Sequence, residues 1–233
     1  MERAEGKRSE FSRRWKWNKA APLRGFLNLV LRMLYRVMAK HRVIHLERMP
    51  KDGAVIVMIN HINWADPFVV MAALGREIVP MAKVEIFEDW RIRWLAQPYG
   101  TIPVHRGAVD LQAIKSASEV LKEGGVILIS PEGTRSKTGG LIHAQEGFAF
   151  LATRTNATVV PCAIVGTTDI LLSLKRLRRA DVTVTLGQPF KLETGEKKPS
   201  REKLQEITDE AMVRLAELLP QEMRGVYSDR AKK

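Results

Sequence analysis

The segment Ala54-Val55-Ile56-Val57-Met58-Ile59-Asn60-His61-Ile62-Asn63-Trp64-Ala65-Asp66-Pro67 opens with six apolar residues and then turns abruptly polar. A run this short, rich in β-branched residues, reads as a strand buried on both faces. Pro67 is suited to the first turn of a helix and biases Asp66 away from helical geometry, so a helix is expected over Pro67–Leu74. The unit is strand, short polar loop, helix.

The same grammar repeats outward from it. Val43–Leu46, Ile78–Ala82, Thr101–His105, Val126–Ser130, Thr158–Val165 and Val182–Leu186 read as further strands. Ile86–Ala96, Leu111–Lys122 and Ala144–Thr153 read as helices, and Ser200–Leu219 as a closing amphipathic helix behind a linker at Lys197–Ser200. Alternation of this kind specifies an α/β fold with a largely parallel central sheet flanked by helices. In such sheets ligands meet the protein just past the carboxyl ends of the strands.

The 233 residues, 45% hydrophobic and 27% charged, have a globular composition. A single cysteine, Cys162, excludes an internal disulfide framework and fits a reducing, cytoplasmic setting. The net charge of +12 is unevenly spread: residues 1–50 carry 13 basic and 4 acidic side chains, whereas the remainder is nearly balanced. A basic arm of this kind addresses an anionic surface, either nucleic acid or anionic lipid.

Within the arm, residues 1–41, Arg24, Asn28, Arg32, Arg36 and Lys40 recur every fourth position, with Phe26, Leu27, Val30, Met33, Leu34, Val37 and Met38 on the other side. An earlier segment carries Phe11, Trp15 and Trp17 among cations, and Pro22 separates the two. The longest charge-free run here, Gly25–Leu31, is far short of the roughly 20 residues that span a bilayer. The pattern predicts an amphipathic two-helix membrane-docking arm lying in the headgroup layer, with Trp and Phe inward and Lys/Arg toward lipid phosphates, ahead of a domain over residues 42–233. An arm whose apolar face packs on the protein's own body, with its charged face merely solvated, is the plainer alternative, and nucleic acid the less favoured one, since no nucleic-acid-binding signature follows.

Three loops carry the polar chemistry. His61 and Asp66 lie five residues apart on a turn, where a carboxylate can orient an imidazole for proton transfer; Asp66 as a simple helix N-cap is the alternative. Gly100-Thr101-Ile102-Pro103-Val104-His105-Arg106-Gly107 delivers Arg106, a side chain suited to phosphate, to a strand end. Ser130-Pro131-Glu132-Gly133-Thr134-Arg135-Ser136 follows another strand; Gly133 permits close backbone approach, Arg135 adds a cation, and Thr134 and Ser136 add hydroxyls. Lys83 ends a strand on the same rim. Val159-Val160-Pro161-Cys162-Ala163-Ile164-Val165-Gly166 is too apolar to react and reads as a core strand. The remaining histidines lack metal-ligand spacing, so no metal is expected.

Taken in order, these segments resemble the glycerolipid acyltransferases, specifically bacterial 1-acylglycerol-3-phosphate (lysophosphatidate) acyltransferases. The Asn-His-x4-Asp pattern falls on Asn60, His61 and Asp66, and Gly-x-x-Pro-x-x-Arg on Gly100, Pro103 and Arg106. Pro-Glu-Gly-Thr-Arg-Ser falls on Pro131–Ser136, Val-Pro-x4-Gly on Val160, Pro161 and Gly166, and Ala-Lys-x-Glu on Ala82, Lys83 and Glu85. The resemblance implies a catalytic base at His61 supported by Asp66, and a phosphate held by Lys83, Arg106 and Arg135. It further implies support from Gly133 and Thr134, and a glycerol end positioned by Glu132. It implies transfer from acyl-CoA or acyl-carrier protein to the 2-hydroxyl of lysophosphatidate, giving phosphatidate for phospholipid biosynthesis. No cofactor is implied beyond the donor substrate. The implied setting is peripheral or monotopic, on anionic lipid at the cytoplasmic face of the inner membrane, with no nucleic-acid partner expected. A sister enzyme using another lysolipid shares the same motifs. A non-enzymatic basic lipid- or nucleic-acid-binding protein would leave their order unexplained.

Overall fold

The computed structural model describes residues 21–105, 110–196 and 199–231. The first half of the arm, with Trp15 and Trp17, lies outside the described residues, as do Arg106 and part of the linker at 197–198.

Seven strands form one sheet: β1 Ala39–Ile44, β2 Val55–Ile59, β3 Ile78–Lys83, β4 Ile102–Val104, β5 Val126–Ile129, β6 Thr158–Val165 and β7 Ala180–Leu186. Their spatial order is β1-β7-β6-β2-β5-β3-β4, and every pairing is parallel except β6 with β7. The carboxyl ends of β6, β2, β5, β3 and β4 therefore share one edge. Because β7 reverses and β1 follows β7, the starts of β1 and β7 lie on that same edge, with Ala39 opposite Ala180.

Alternation along β2 divides the core. Val55, Val57 and Ile59 join Val69 and Val70 of helix α2 (Asp66–Ala73) and Leu74 just after it, with Leu27 and Leu31 of helix α1 (Ala21–Met38) packed alongside. Ile56 and Met58 face the other layer. There Ala117 and Val120 of α4 (Leu111–Lys122), Phe148 and Leu151 of α5 (Gly147–Thr155), and Met212 and Leu215 of α7 (Arg201–Ala216) cover the sheet. Helices thus flank a mostly parallel sheet on both faces, as the alternating pattern predicts.

Several boundaries move. β1 begins at Ala39, directly after α1, rather than at Val43; it is an edge strand whose Lys40, His41 and Arg42 are exposed, so it shows no apolar run. The helix expected from Ile86 begins at Trp90 (α3, Trp90–Tyr99), behind a 3-10 turn at Val84–Phe87. α2 begins at Asp66, one residue before Pro67. A short helix, α6 (Ile170–Lys175), was not expected at all.

The orientation of α1 differs from that of a helix with cations turned toward lipid. From Arg24 to Arg32 its polar stripe faces the protein, while Arg36 is exposed. Arg24 is fully buried, pairing with Glu77 at 3.2 Å and donating to the carbonyl of Tyr99, the last residue of α3. Arg32 donates to the carbonyl of Leu74, at the C-terminus of α2. The Tyr99 hydroxyl donates to Asn28 at 2.7 Å. Cations at helix C-termini meet both unpaired carbonyls and the negative end of the dipole, which explains why these two arginines turn inward. The apolar face is consequently left outside: Phe26 is 62% exposed and Val37 71%, with Leu29, Met33 and Leu34 between them.

Gly166, just past β6, has φ of 91°, and a Cβ there would lie 2.1 Å from the carbonyl oxygen of Asp181 on β7. Gly166→Ala is expected to lower stability by at least about 2 kcal/mol, read as a fall in the urea midpoint. An unchanged midpoint would contradict this packing.

Candidate active site

Asp66 is fully buried, and its carboxylate collects four donors. Oδ2 accepts from the backbone N–H groups of Ile62 and Asn63 at 2.8 and 2.7 Å and lies 3.0 Å from Nδ1 of His61. Oδ1 accepts the hydroxyl of Thr167 at 2.5 Å. The helix N-cap is Ala65, so Asp66 serves the loop before it instead of capping α2. The turn that makes this possible is set by Asn63, whose side-chain oxygen accepts the N–H of Ala65 and whose carbonyl accepts that of Asp66.

A carboxylate that is acceptor in three bonds requires a donor in the fourth. Nδ1 of His61 therefore carries its proton toward Asp66, and the lone pair is left on Nε2. Nε2 has no partner among the described residues, and the imidazole is 20% exposed. A base oriented from behind and open in front can accept a proton from a bound hydroxyl.

The peptide of His61 is held from the neighbouring strand. Its N–H donates to Oε1 of Glu132 at 3.0 Å, and its carbonyl accepts the N–H of Ser136 at 2.7 Å. Oε2 of Glu132 accepts the N–H of Ile142 at 3.0 Å. Glu132 is buried, and burial raises its pKa to about 7; the N–H groups of Ile142 and His61 offset part of this, and the charge of Asp66 adds to it. Both carboxyl oxygens are thus committed to backbone that shapes the His61 loop. The side chain of Asn60 bridges to β6, donating to the carbonyl of Ile164 at 2.9 Å and accepting its N–H at 2.8 Å. This continues the β2–β6 ladder beyond Ile59 through a side chain.

The remaining candidates fall into two groups. Lys83, the last residue of β3, and Arg135, after β5, are exposed, and their side chains have no ion pair or hydrogen bond among the described residues. They stand on the same sheet edge as His61. Thr134 is also exposed there. Gly133 has φ of 65° and its N–H closes a turn onto the carbonyl of Ser130, so the glycine is needed for the turn itself. The Ser136 hydroxyl donates to the carbonyl of Gly140 at 2.5 Å and is not a free donor. Cys162 is buried and its thiol pushed up to about 12 by desolvation, which leaves it unreactive. No group of three or more metal-ligating side chains occurs among the described residues.

Thr167 and the bridging role of Asn60 escaped sequence reasoning. Thr167 follows Gly166, the end of the Val-Pro-x4-Gly segment, which was its one available signal.

The family described as Acyltransferase matches residues 40–165. The chain is 31% identical over 150 residues to a chloroplastic 1-acyl-sn-glycerol-3-phosphate acyltransferase of Arabidopsis thaliana, covering 62% of this chain and 42% of the relative. It is 26% identical over 182 residues to the 1-acyl-sn-glycerol-3-phosphate acyltransferase of Bacillus subtilis, covering 76% of this chain and 87% of the relative. The chain thus spans less than half the length of the plant relative but most of the bacterial one. The crystal structure of a 1-acyl-sn-glycerophosphate acyltransferase from Thermotoga maritima superposes with a TM-score of 0.62 at 22% identity, over 90% of this chain and 82% of that one. That likeness establishes a shared fold.

The raised pKa of Glu132 makes stability depend on pH. A carboxyl group that binds its proton more tightly folded than unfolded contributes stability fully below its unfolded pKa of 4.5, and loses it as pH rises through about 7. Between about pH 4.5 and 7 the loss from this group is of order 3 kcal/mol. Urea unfolding at about pH 5 and pH 8 should show wild type losing stability relative to Glu132→Gln across that window. Parallel pH profiles would mean that Glu132 is not the buried acid described.

Proposed function

The chain belongs to the glycerolipid acyltransferase family, and from that premise we propose that it transfers an acyl group from a thioester donor, acyl-CoA or acyl-carrier protein, to the 2-hydroxyl of lysophosphatidate. The observation that carries this reading is the His61–Asp66 pair at 3.0 Å with Nε2 unpartnered, on a rim where Lys83 and Arg135 are free.

Nε2 of His61 takes the proton of the 2-hydroxyl as that oxygen attacks the thioester carbonyl carbon. The carbonyl π electrons move onto oxygen, the C–O bond forms, and collapse of the intermediate breaks the C–S bond. The departing thiolate takes the proton from the imidazolium. Asp66, unable to turn away from its four donors, keeps the imidazole in the required tautomer and stabilises the charged ring. Lys83, Arg135 and Arg106 bind the acceptor phosphate, with Thr134 and the backbone around Gly133 beside them. Glu132 positions the glycerol end indirectly, by holding the loops between which it must lie.

In this reading the membrane-docking arm, expected over residues 1–41, ends at Met38, and the catalytic domain begins with β1, whose Ala39, Lys40 and His41 already pair with β7. No helix among the described residues is long and apolar enough to cross a membrane. The exposed apolar face of α1 lies on anionic lipid at the cytoplasmic side of the inner membrane, bringing the rim to its lipid acceptor. Trp64 and Phe68, exposed and in edge-on contact on the loop and helix that follow His61, meet the acyl chains.

Acyl transfer to lysophosphatidate in detergent micelles, with each donor in turn, tests the function. Wild type should form phosphatidate, and His61→Ala should lose about 10²–10⁴-fold in rate with its fold intact. Equal turnover by the variant would remove His61 as the base; no turnover by wild type with either donor would remove lysophosphatidate as the acceptor.

A further inference from the structure

α6 and the turn after it are unusual for a surface segment. Ile170 is buried and Leu174 packs half-buried against the core, while Leu171 and Leu172 stand exposed. Lys175 and Arg176 follow each of these by four residues, so each leucine has a cation next to it on the outer face. Leu177 is 97% exposed and has φ of 52°. The N–H of Arg178 reaches back to the carbonyl of Ser173 and that of Leu177 to Leu174, which makes Leu177 the left-handed residue ending the helix. Glycine or asparagine is usual there. A leucine fits this site poorly, and water fits a fully exposed leucine poorly. Both costs need a reason.

The surroundings supply one. Lys175, Arg176 and Arg178 are exposed and have no ion pair among the described residues. Arg179 instead donates to the carbonyls of Arg36 and Ala39, tying this turn to the end of α1. The parallel pairing of β1 with β7 requires that proximity, because α1 leads into Ala39 and this turn leads into Ala180. The outer face of α1 and the leucine–cation cluster are therefore neighbours at the sheet edge that carries His61.

We propose that Ile170–Arg179 is a second membrane contact. Leu177, with Leu171 and Leu172, enters the headgroup layer of a bilayer, while Lys175, Arg176 and Arg178 bind the phosphates of anionic lipids. The inference rests on the membrane role proposed for α1 and adds the source of its preference for anionic lipid. α1 itself turns two of its arginines inward and cannot spend them on lipid. The turn supplies cations that are free.

The test uses the full chain and co-sedimentation with vesicles of phosphatidylglycerol mixed with phosphatidylcholine, or of phosphatidylcholine alone. Replacing Lys175, Arg176 and Arg178 together by Glu should weaken binding to the anionic vesicles about 100-fold and to the neutral ones little. Leu177→Gly should weaken binding about 10-fold while raising the urea midpoint, because it relieves the left-handed leucine; a purely structural role would not separate the two. Cys162 is buried, so Leu177→Cys can be labelled selectively with an environment-sensitive dye, whose emission should shift to the blue on anionic vesicles. Wild-type vesicle affinity in the charge and glycine variants, with no dye shift, overturns the proposal. It is equally overturned if the charge variant keeps its vesicle binding and loses only its response to an acidic acyl-carrier protein. Phe26→Ser with Met33→Ser tests α1 separately. If wild type ignores both vesicles, the α1 reading falls as well; if only the α1 variant detaches, the second contact alone falls.

Discussion

The peptide of His61 is held on both sides by the loop that follows β5, and the geometry of the site depends on that hold. Glu132 accepts its N–H and Ser136 donates to its carbonyl, so neither the residue nor the turn behind it can rotate. The arrangement is possible because β2 and β5 are adjacent and parallel and end together. It carries a cost, since a carboxyl group is buried beside the charged Asp66 and is driven toward protonation near neutral pH. Burying such a group to brace a loop makes sense where the braced side chain must be placed accurately. With the backbone fixed, Asp66 has only to orient the ring. The Thr167 hydroxyl, just past β6, donates to Asp66, so the ends of three adjacent strands converge on the pair.

In the proposed reading the same edge organises the approach to the membrane. α1 presents cations to the C-termini of α2 and α3 and leaves its apolar face outward, inverting the usual arrangement of a surface helix. Its last residue feeds β1 at the edge where the reactive loops emerge. A lipid acceptor can then rise from a bilayer toward the free cations without leaving the protein's contact surface.

Much of this was legible in the sequence, for identifiable reasons. The strand before Asn60 is an unbroken apolar run because it is buried on both faces, and Pro67 marks the helix after it. His61, Asp66, Glu132 and Arg135 stand out because each polar loop follows such a strand. Thr167 did not stand out: it lies 101 residues from Asp66 in the chain, and only the β2–β6 pairing brings it near. Ser136 looked like a ligand donor, but its hydroxyl closes its own loop on Gly140. Periodicity gave α1 two faces, but the expectation that its cations meet lipid fails at Arg24 and Arg32, because Glu77, Tyr99 and Leu74 draw them to the body through tertiary contacts. α6 escaped because it is only six residues long and sets the outward Leu171 and Leu172 between Ile170 and Leu174, so its apolar residues form no one-sided stripe.

The central claim is that His61 acts as a base on the acceptor hydroxyl while its own nitrogen never carries the acyl group. Rapid mixing of the full chain with acyl-CoA or acyl-carrier protein, followed by detection of released thiol, tests it most directly. The account predicts thiol release only when lysophosphatidate is present, matched by phosphatidate formed. A burst of thiol equal to the enzyme concentration, with donor alone, would reveal an acyl-enzyme and contradict it.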